Sequence, residues 1–171
     1  DSEDVAEGSP PRHAAGCFGS GFETNEGSTT AARAVTYLVD TNVLSEIRKG
    51  PRMNAGVAAW FAGVPEEAIH LSVLAVGEIR RGIHILRGRD ARQAAALDRW
   101  LSTVVRQHGD RILPIDLQVA EEWGALISTR TASPIDAMMA ATARVNNLIL
   151  VTRNVRRVSW TGVEILNPFR G

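Results

Sequence analysis

Three acidic residues stand where short apolar runs end or helices begin. Asp40 closes Thr36-Tyr37-Leu38-Val39, Glu78 lies within Ala75-Val76-Gly77-Glu78-Ile79, and Asp136 follows Ser133-Pro134-Ile135. Carboxylates that converge in one place raise one another's pKa unless a divalent cation neutralises them. An all-oxygen donor set suits Mg²⁺ or Mn²⁺, and Mg²⁺ typically takes one or two protein carboxylates, completing its shell with water and substrate phosphate oxygens. Acids, a hard metal and a basic surround together make the chemistry of phosphodiester hydrolysis. Each acid also has a plainer explanation. Asp40 is a favoured helix cap and Asp136 completes a good helix start unaided. Glu78 is the most telling of the three, because an acid among apolar neighbours is costly to bury without a partner.

The elements that must carry these residues follow from periodicity. Thr36–Val39 is a continuous apolar run, the mark of a parallel strand buried on both faces. A helix is expected over about 41–49, broken by Gly50-Pro51, then a second helix holding Val57, Trp60 and Phe61. Ala68–Ser72 reads as a strand, Leu74–Leu86 and Ala91–Val105 as helices, and Arg111–Pro114 as a third strand. A helix over about 117–129 precedes a second, which Ser133 caps and Pro134 opens. Leu148–Val151 and Val163–Leu166 are the last strands. Strands alternating with helices give an α/β fold: one parallel sheet of about four to five strands flanked by helices, whose ligands collect beyond the carboxyl ends of the strands.

The 171 residues fit about one domain. At 44% hydrophobic and 22% charged, the composition excludes membrane-embedded, collagen-like and wholly disordered classes. Formal neutrality hides two unlike parts. Residues 1–34 carry six acids against two arginines, whereas residues 35–171 carry thirteen acids against seventeen bases, sixteen of them Arg. That mildly basic portion permits a nucleic-acid partner, because the planar guanidinium suits phosphate. Residues 1–34, rich in Gly, Ser and Pro and lacking Leu, Ile, Met and Trp, are expected to be a disordered leader, with the folded domain at 35–171. Cys17 is the sole cysteine, which excludes an intrachain disulfide and fits a reducing, cytoplasmic setting. No run approaches the length of a membrane helix, and the acidic first residues do not read as a secretory signal.

Five stretches in order then carry a resemblance: Tyr37-Leu38-Val39-Asp40-Thr41-Asn42-Val43-Leu44-Ser45-Glu46, Glu78-Ile79-Arg80-Arg81-Gly82-Ile83, Pro134-Ile135-Asp136-Ala137, Leu150-Val151-Thr152-Arg153-Asn154 and Leu166-Asn167-Pro168-Phe169. Together they resemble the PIN-domain family, its VapC-like and FitB-like toxin branch in particular, over about 36–169. The resemblance implies a Mg²⁺- or Mn²⁺-dependent endoribonuclease, the toxin of a type II toxin–antitoxin pair. It also implies an RNA substrate, a cognate antitoxin that covers the pocket, and a homodimer or toxin–antitoxin hetero-oligomer, with Val57, Trp60 and Phe61 as an expected contact surface. Carried over, the family acids match Asp40, Glu78 and Asp136. Asp40 and Asp136 would hold the principal ion and Glu78 would complete its shell directly or through water. Thr41, Asn42, Thr152 and Asn154 would orient the substrate phosphate or the ligands. The chain departs from the pattern at one place: many relatives carry a further acid at the position of Asn154 or of Arg157, and a neutral ligand weakens attraction for a second cation.

Other polar residues divide between site and scaffold. Arg80 and Arg81 could hold substrate phosphate or face solvent; Glu46 could join the acids or lie on the outer face of its helix; Asp116 reads as a cap. The four histidines show no metal-like spacing, and neither a Walker loop nor a dinucleotide glycine fingerprint is present. Two other classes are carried beside the nuclease. One is a catalytically weak PIN-like module that acts by binding RNA or antitoxin. The other is a metal-binding phosphatase, which usually has a second Asp two residues after the first, where this chain has Asn42.

Overall fold

A computed structural model describes residues 35–128 and 130–170, so the expected leader at 1–34 lies outside the described residues. Five strands form one wholly parallel sheet: β1 (Tyr37–Val39), β2 (Ile69–Ser72), β3 (Ile112–Leu113), β4 (Ile149–Val151) and β5 (Ile165–Leu166), in the spatial order β3-β2-β1-β4-β5. The helices are α1 (Thr41–Ile47), α2 (Ala55–Ala62), α3 (Val73–Arg87), α4 (Ala91–Gln107), α5 (Leu117–Ile127), α6 (Pro134–Val145) and α7 (Val155–Val158). The expected α/β architecture is the one observed. The one helix that periodicity did not reveal is α7, whose single turn is too short to display a repeat of 3.6 residues.

Alternation along the strands splits the core between the two faces of the sheet. Val39, Leu71 and Val151 pack with Val43, Ile79, Ile83 and Leu101 on one side. Leu38 and Leu150 pack with Met139, Ala140 and Ala143 on the other. In the central strands β1 and β4 successive residues are therefore both buried, which is why these strands read as continuous apolar runs.

The chain steps outward from β1 to β2 to β3 and then returns to the other side of β1 to lay down β4 and β5. The sheet thus has a switch point between β1 and β4, where successive connections diverge and leave a crevice at the carboxyl edge. Gly50, at φ 58°, makes the tight exit from α1 that other residues resist. The expected contact surface on α2 divides: Val57 is fully buried, Trp60 packs edge-on against Tyr37 at 5.5 Å, and Phe61 is exposed. Core packing claims the first two because α2 lies against the β1 face of the sheet.

Candidate functional site

The switch-point crevice holds a cavity of about 240 Å³, and all three expected acids line it: Asp40, Glu78 and Asp136. Asp40 follows the last residue of β1, and its backbone N–H donates to Val151 O at 3.0 Å, extending the β1–β4 ladder by one residue. Glu78 rides on α3, which starts directly after β2 with Ser72 accepting from the Leu74 N–H at 3.1 Å. Asp136 arrives by a less direct route. Helix α6 leads into β4 through Asn146 and Asn147, and Asn147 turns the chain back with a left-handed φ of 53°. A helix that precedes a parallel strand and packs along it runs the opposite way, so its first turn lies at the strand's carboxyl end. Ser133 caps that turn by accepting from the Asp136 N–H at 3.5 Å.

Register decides what stands beside Asp40. Val39 pairs with Val151, so the next residues, Asp40 and Thr152, leave the sheet side by side. The fully buried Thr152 hydroxyl donates to Asp40 Oδ2 at 2.6 Å, and accepts from Asn42 Nδ2 at 3.2 Å and from the Asn154 N–H at 3.0 Å. Asn42 also donates to Asp40 Oδ2 and accepts from the Arg153 N–H at 3.0 Å, tying α1 to the loop after β4. Thr41 donates to Glu78 Oε2 at 2.5 Å and thereby links α1 to α3. Burial raises the Asp40 carboxyl above its ordinary pKa; the Thr152 hydroxyl and the Thr41 N–H pull it back down, and the negative charges of Glu78 and Asp136 push it up further. Among the described residues no base pairs with Asp40.

Thr41, Asn42, Thr152 and Asn154 therefore all line the cavity, as expected of residues that orient ligands or phosphate. Arg80 does not. Its guanidinium pairs with Asp98 on α4, which also receives Arg87 at 3.4 Å, because α3 and α4 pack together and point Arg80 away from the crevice. Glu46 is also outside: it accepts from Lys49 Nζ at 2.7 Å and from the Asn54 N–H at 2.9 Å, and the Lys49 bond, first among several, holds its carboxyl below the ordinary range. Asp116 caps α5 by accepting from the Val119 N–H at 2.9 Å.

Two polar cavity residues were not among the expected site residues. Ser45 stands one turn beyond Thr41 on α1, a spacing that places both on the same helix face and could have flagged it. Arg157 was legible only as a departure from a pattern; in the structure its guanidinium donates to Asp136 Oδ2 at 3.3 Å. A cation of the protein itself thus neutralises part of the acid cluster.

The donor set fits a hard divalent ion, since Asp40, Glu78, Asp136 and Asn154 offer oxygen. Among the described residues no three of His, Cys, Asp and Glu are gathered tightly enough to cage an ion by themselves.

Removing the Thr152 hydroxyl tests how the cluster is held. Thr152→Val keeps the buried shape but leaves Asp40, Asn42 and the Asn154 N–H without that partner, so unfolding should become easier by about 1–3 kcal/mol in a denaturant titration. Unchanged stability would show that other contacts hold Asp40 in place.

Residues 37–158 match the model of the PIN domain. The chain is 29% identical to toxin FitB of Neisseria gonorrhoeae over 137 residues, covering 77% of this chain and 97% of that protein. It is 28% identical to VapC ribonuclease Y4jK of Sinorhizobium fredii, covering 77% and 96%. Among solved structures, FitAcB from Neisseria gonorrhoeae superposes with a TM-score of 0.71 at 29% identity, over 80% of this chain and all of that one. With residues 37–158, most of its length, matched by that model, the chain belongs to the PIN domain family.

Proposed function

We propose that this chain is a divalent-metal-dependent endoribonuclease, the toxin of a toxin–antitoxin pair held in check by a cognate antitoxin. The observation that carries the reading is Asp40. It is a partly buried carboxyl with a raised pKa, held by neutral donors alone and faced by two further acids, in a crevice at the sheet's switch point. Such a group is costly as an isolated anion and gains most from a cation. The toxin and ribonuclease names borne by relatives of matching length, with the FitAcB structure at 29% identity, support the same reading. A homodimer or a toxin–antitoxin hetero-oligomer in the cytoplasm completes it. No described helix is long and apolar enough to cross a membrane.

In this reading Asp40 and Asp136 would hold the ion, and Glu78 would complete its shell or orient a water. A bound Mg²⁺ or Mn²⁺ would supply a water of lowered pKa and neutralise charge on the scissile phosphate, with no protein nucleophile. Thr152 and Asn42 fix the Asp40 carboxylate by their two bonds to Oδ2, and Thr41 fixes Glu78. Asn154 adds a neutral carbonyl at the rim, where it can accept a bond or a weakly held ion.

The test is cleavage of a panel of structured and unstructured RNAs by the purified protein in Mg²⁺ or Mn²⁺ and in chelator. Cleavage that needs the metal supports the assignment. An intact panel under all conditions, with RNA or antitoxin still bound, would favour the non-catalytic module instead.

A further inference from the structure

Arg157 belongs to more than the acid cavity. Two neighbouring depressions share it, one of about 370 Å³ on the α6 side and one of about 280 Å³ toward the end of the chain. The first also shares Asp136 with the acid cavity, and the second shares Asn154. The three spaces are therefore contiguous around one guanidinium. The flanking pair is lined by Arg130, Arg153, Arg156 and Arg170 together with Trp160. Among the described residues Arg153, Arg156 and Arg170 form no ion pair and all three are exposed, although Arg153 lies 5.2 Å from the Phe169 ring centroid and its charge also acts on Glu46.

Trp160 gives this basic rim its chemical character. Its indole N–H is already satisfied by Arg157 O at 2.7 Å, which fixes the half-buried ring, and the Arg130 guanidinium lies 5.7 Å from the ring centroid. Flat aromatic and guanidinium faces are what an unpaired base stacks on, and a base locked in a duplex cannot reach them. Unpaired arginines track phosphates. A second basic face exists on α4, with Arg87, Arg99 and Arg106, but Asp98 sits within it and engages Arg87, and it shares no residue with the acid cavity.

We propose that the rim around Arg157 is the track of a single RNA strand entering the acid cavity, its phosphates held by Arg153, Arg156 and Arg170 and one unpaired base stacked at Trp160. The proposal rests on the ribonuclease reading of that cavity, but its test reads binding without cleavage. Anisotropy of a short fluorescein-labelled oligoadenylate is measured in chelator across a salt series with the full chain.

Arg156→Ala/Arg170→Ala should weaken binding and flatten the slope of log K against log salt by about 0.7 for each arginine removed. Arg99→Ala/Arg106→Ala, which removes the same charge from α4, should change little. Trp160→Ala should lose about fivefold or more, whereas Trp160→Phe, which keeps a ring, should retain most of the affinity. Native binding by the rim variants, or a larger loss from the α4 pair, overturns the track and leaves the nuclease reading standing if metal-dependent cleavage persists. Rim variants that bind RNA normally but no longer capture the cognate antitoxin overturn it in favour of a protein interface. Rim-dependent RNA binding by a protein that cleaves nothing in any metal supports the track and removes the nuclease reading.

Discussion

Asp40→Asn is expected to abolish metal-dependent RNA cleavage, by at least about 10²–10³-fold, while raising the melting temperature of the metal-free protein. The first effect follows from losing an anionic ligand at the point where charge develops. The second follows from the direction of the pKa shift. The Asp40 carboxyl is raised from its ordinary value of 3.8, chiefly by burial. A carboxyl raised in the folded state binds its proton more tightly there than in the unfolded chain. Its contribution to stability is therefore full below the unfolded pKa and lost as pH rises through the folded one, so at pH 7 the ionised group works against folding. Asn removes that charge and keeps the two side-chain contacts to Oδ2. Thr152 and Asn42 both donate to the same oxygen, Oδ2, which an amide carbonyl can replace, leaving the amide N–H groups for the acids opposite. Thermal melts at pH 7 in chelator, with and without added Mn²⁺, check both parts. The native protein should be stabilised by Mn²⁺ and the variant should not. A variant that cleaves RNA normally would remove Asp40 from the site. A variant that melts lower in chelator would show that the ionised carboxylate is a net contributor to the fold.

Asn154→Asp and Arg157→Ala are expected to tighten Mn²⁺ binding, each by a different physical route. Asn154 lines the cavity but brings no charge, and Arg157 places a guanidinium on Asp136 at 3.3 Å. One unit charge at 4 Å is worth at most about 4 kcal/mol at an effective dielectric near 20 and about 1 kcal/mol in bulk water. Both residues are exposed, so the lower part of that range applies, and each change should improve affinity by about five- to tenfold. Calorimetric titration with Mn²⁺ checks this. The two variants then separate on RNA: Arg157→Ala should also lose affinity for RNA measured in chelator, because the same guanidinium lines the strand track. Two tight Mn²⁺ sites in the native protein would contradict the expectation. Glu46 could not account for them from its present position, since Lys49 and the Asn54 N–H already engage it.

The three acids illustrate how unevenly a chain announces its site. Glu78 was legible as an acid on an otherwise apolar helix face, and Asp40 as the residue that ends a buried strand. Asp136 looked the same whether it merely started a helix or entered the crevice. Its place in the crevice waited on the direction in which α6 packs. Arg80 shows the opposite failure: its place two residues after Glu78 suggested a phosphate contact, but helical residues two apart point about 200° apart, and α4 supplied Asp98 on the Arg80 side. Helix α7, with one turn and no repeat to read, was invisible until the chain was folded, although it carries both Arg156 and Arg157.

By itself the sequence determined the elements, the alternation of strands and helices, the caps at Ser133 and Asp116, and the identity of the candidate acids. All of these depend on patterns within about ten residues, where backbone sterics and apolar periodicity act directly. Only the tertiary structure decided that β4 returns beside β1 and that Val39 pairs with Val151, so that Thr152 donates to Asp40 across 112 positions of chain. It alone decided that Arg157 meets Asp136 and that an acid cavity opens onto an arginine rim. Strand order and register follow from how two core layers pack against a common sheet. That is a non-local balance of burial, and no local pattern in the sequence carries it.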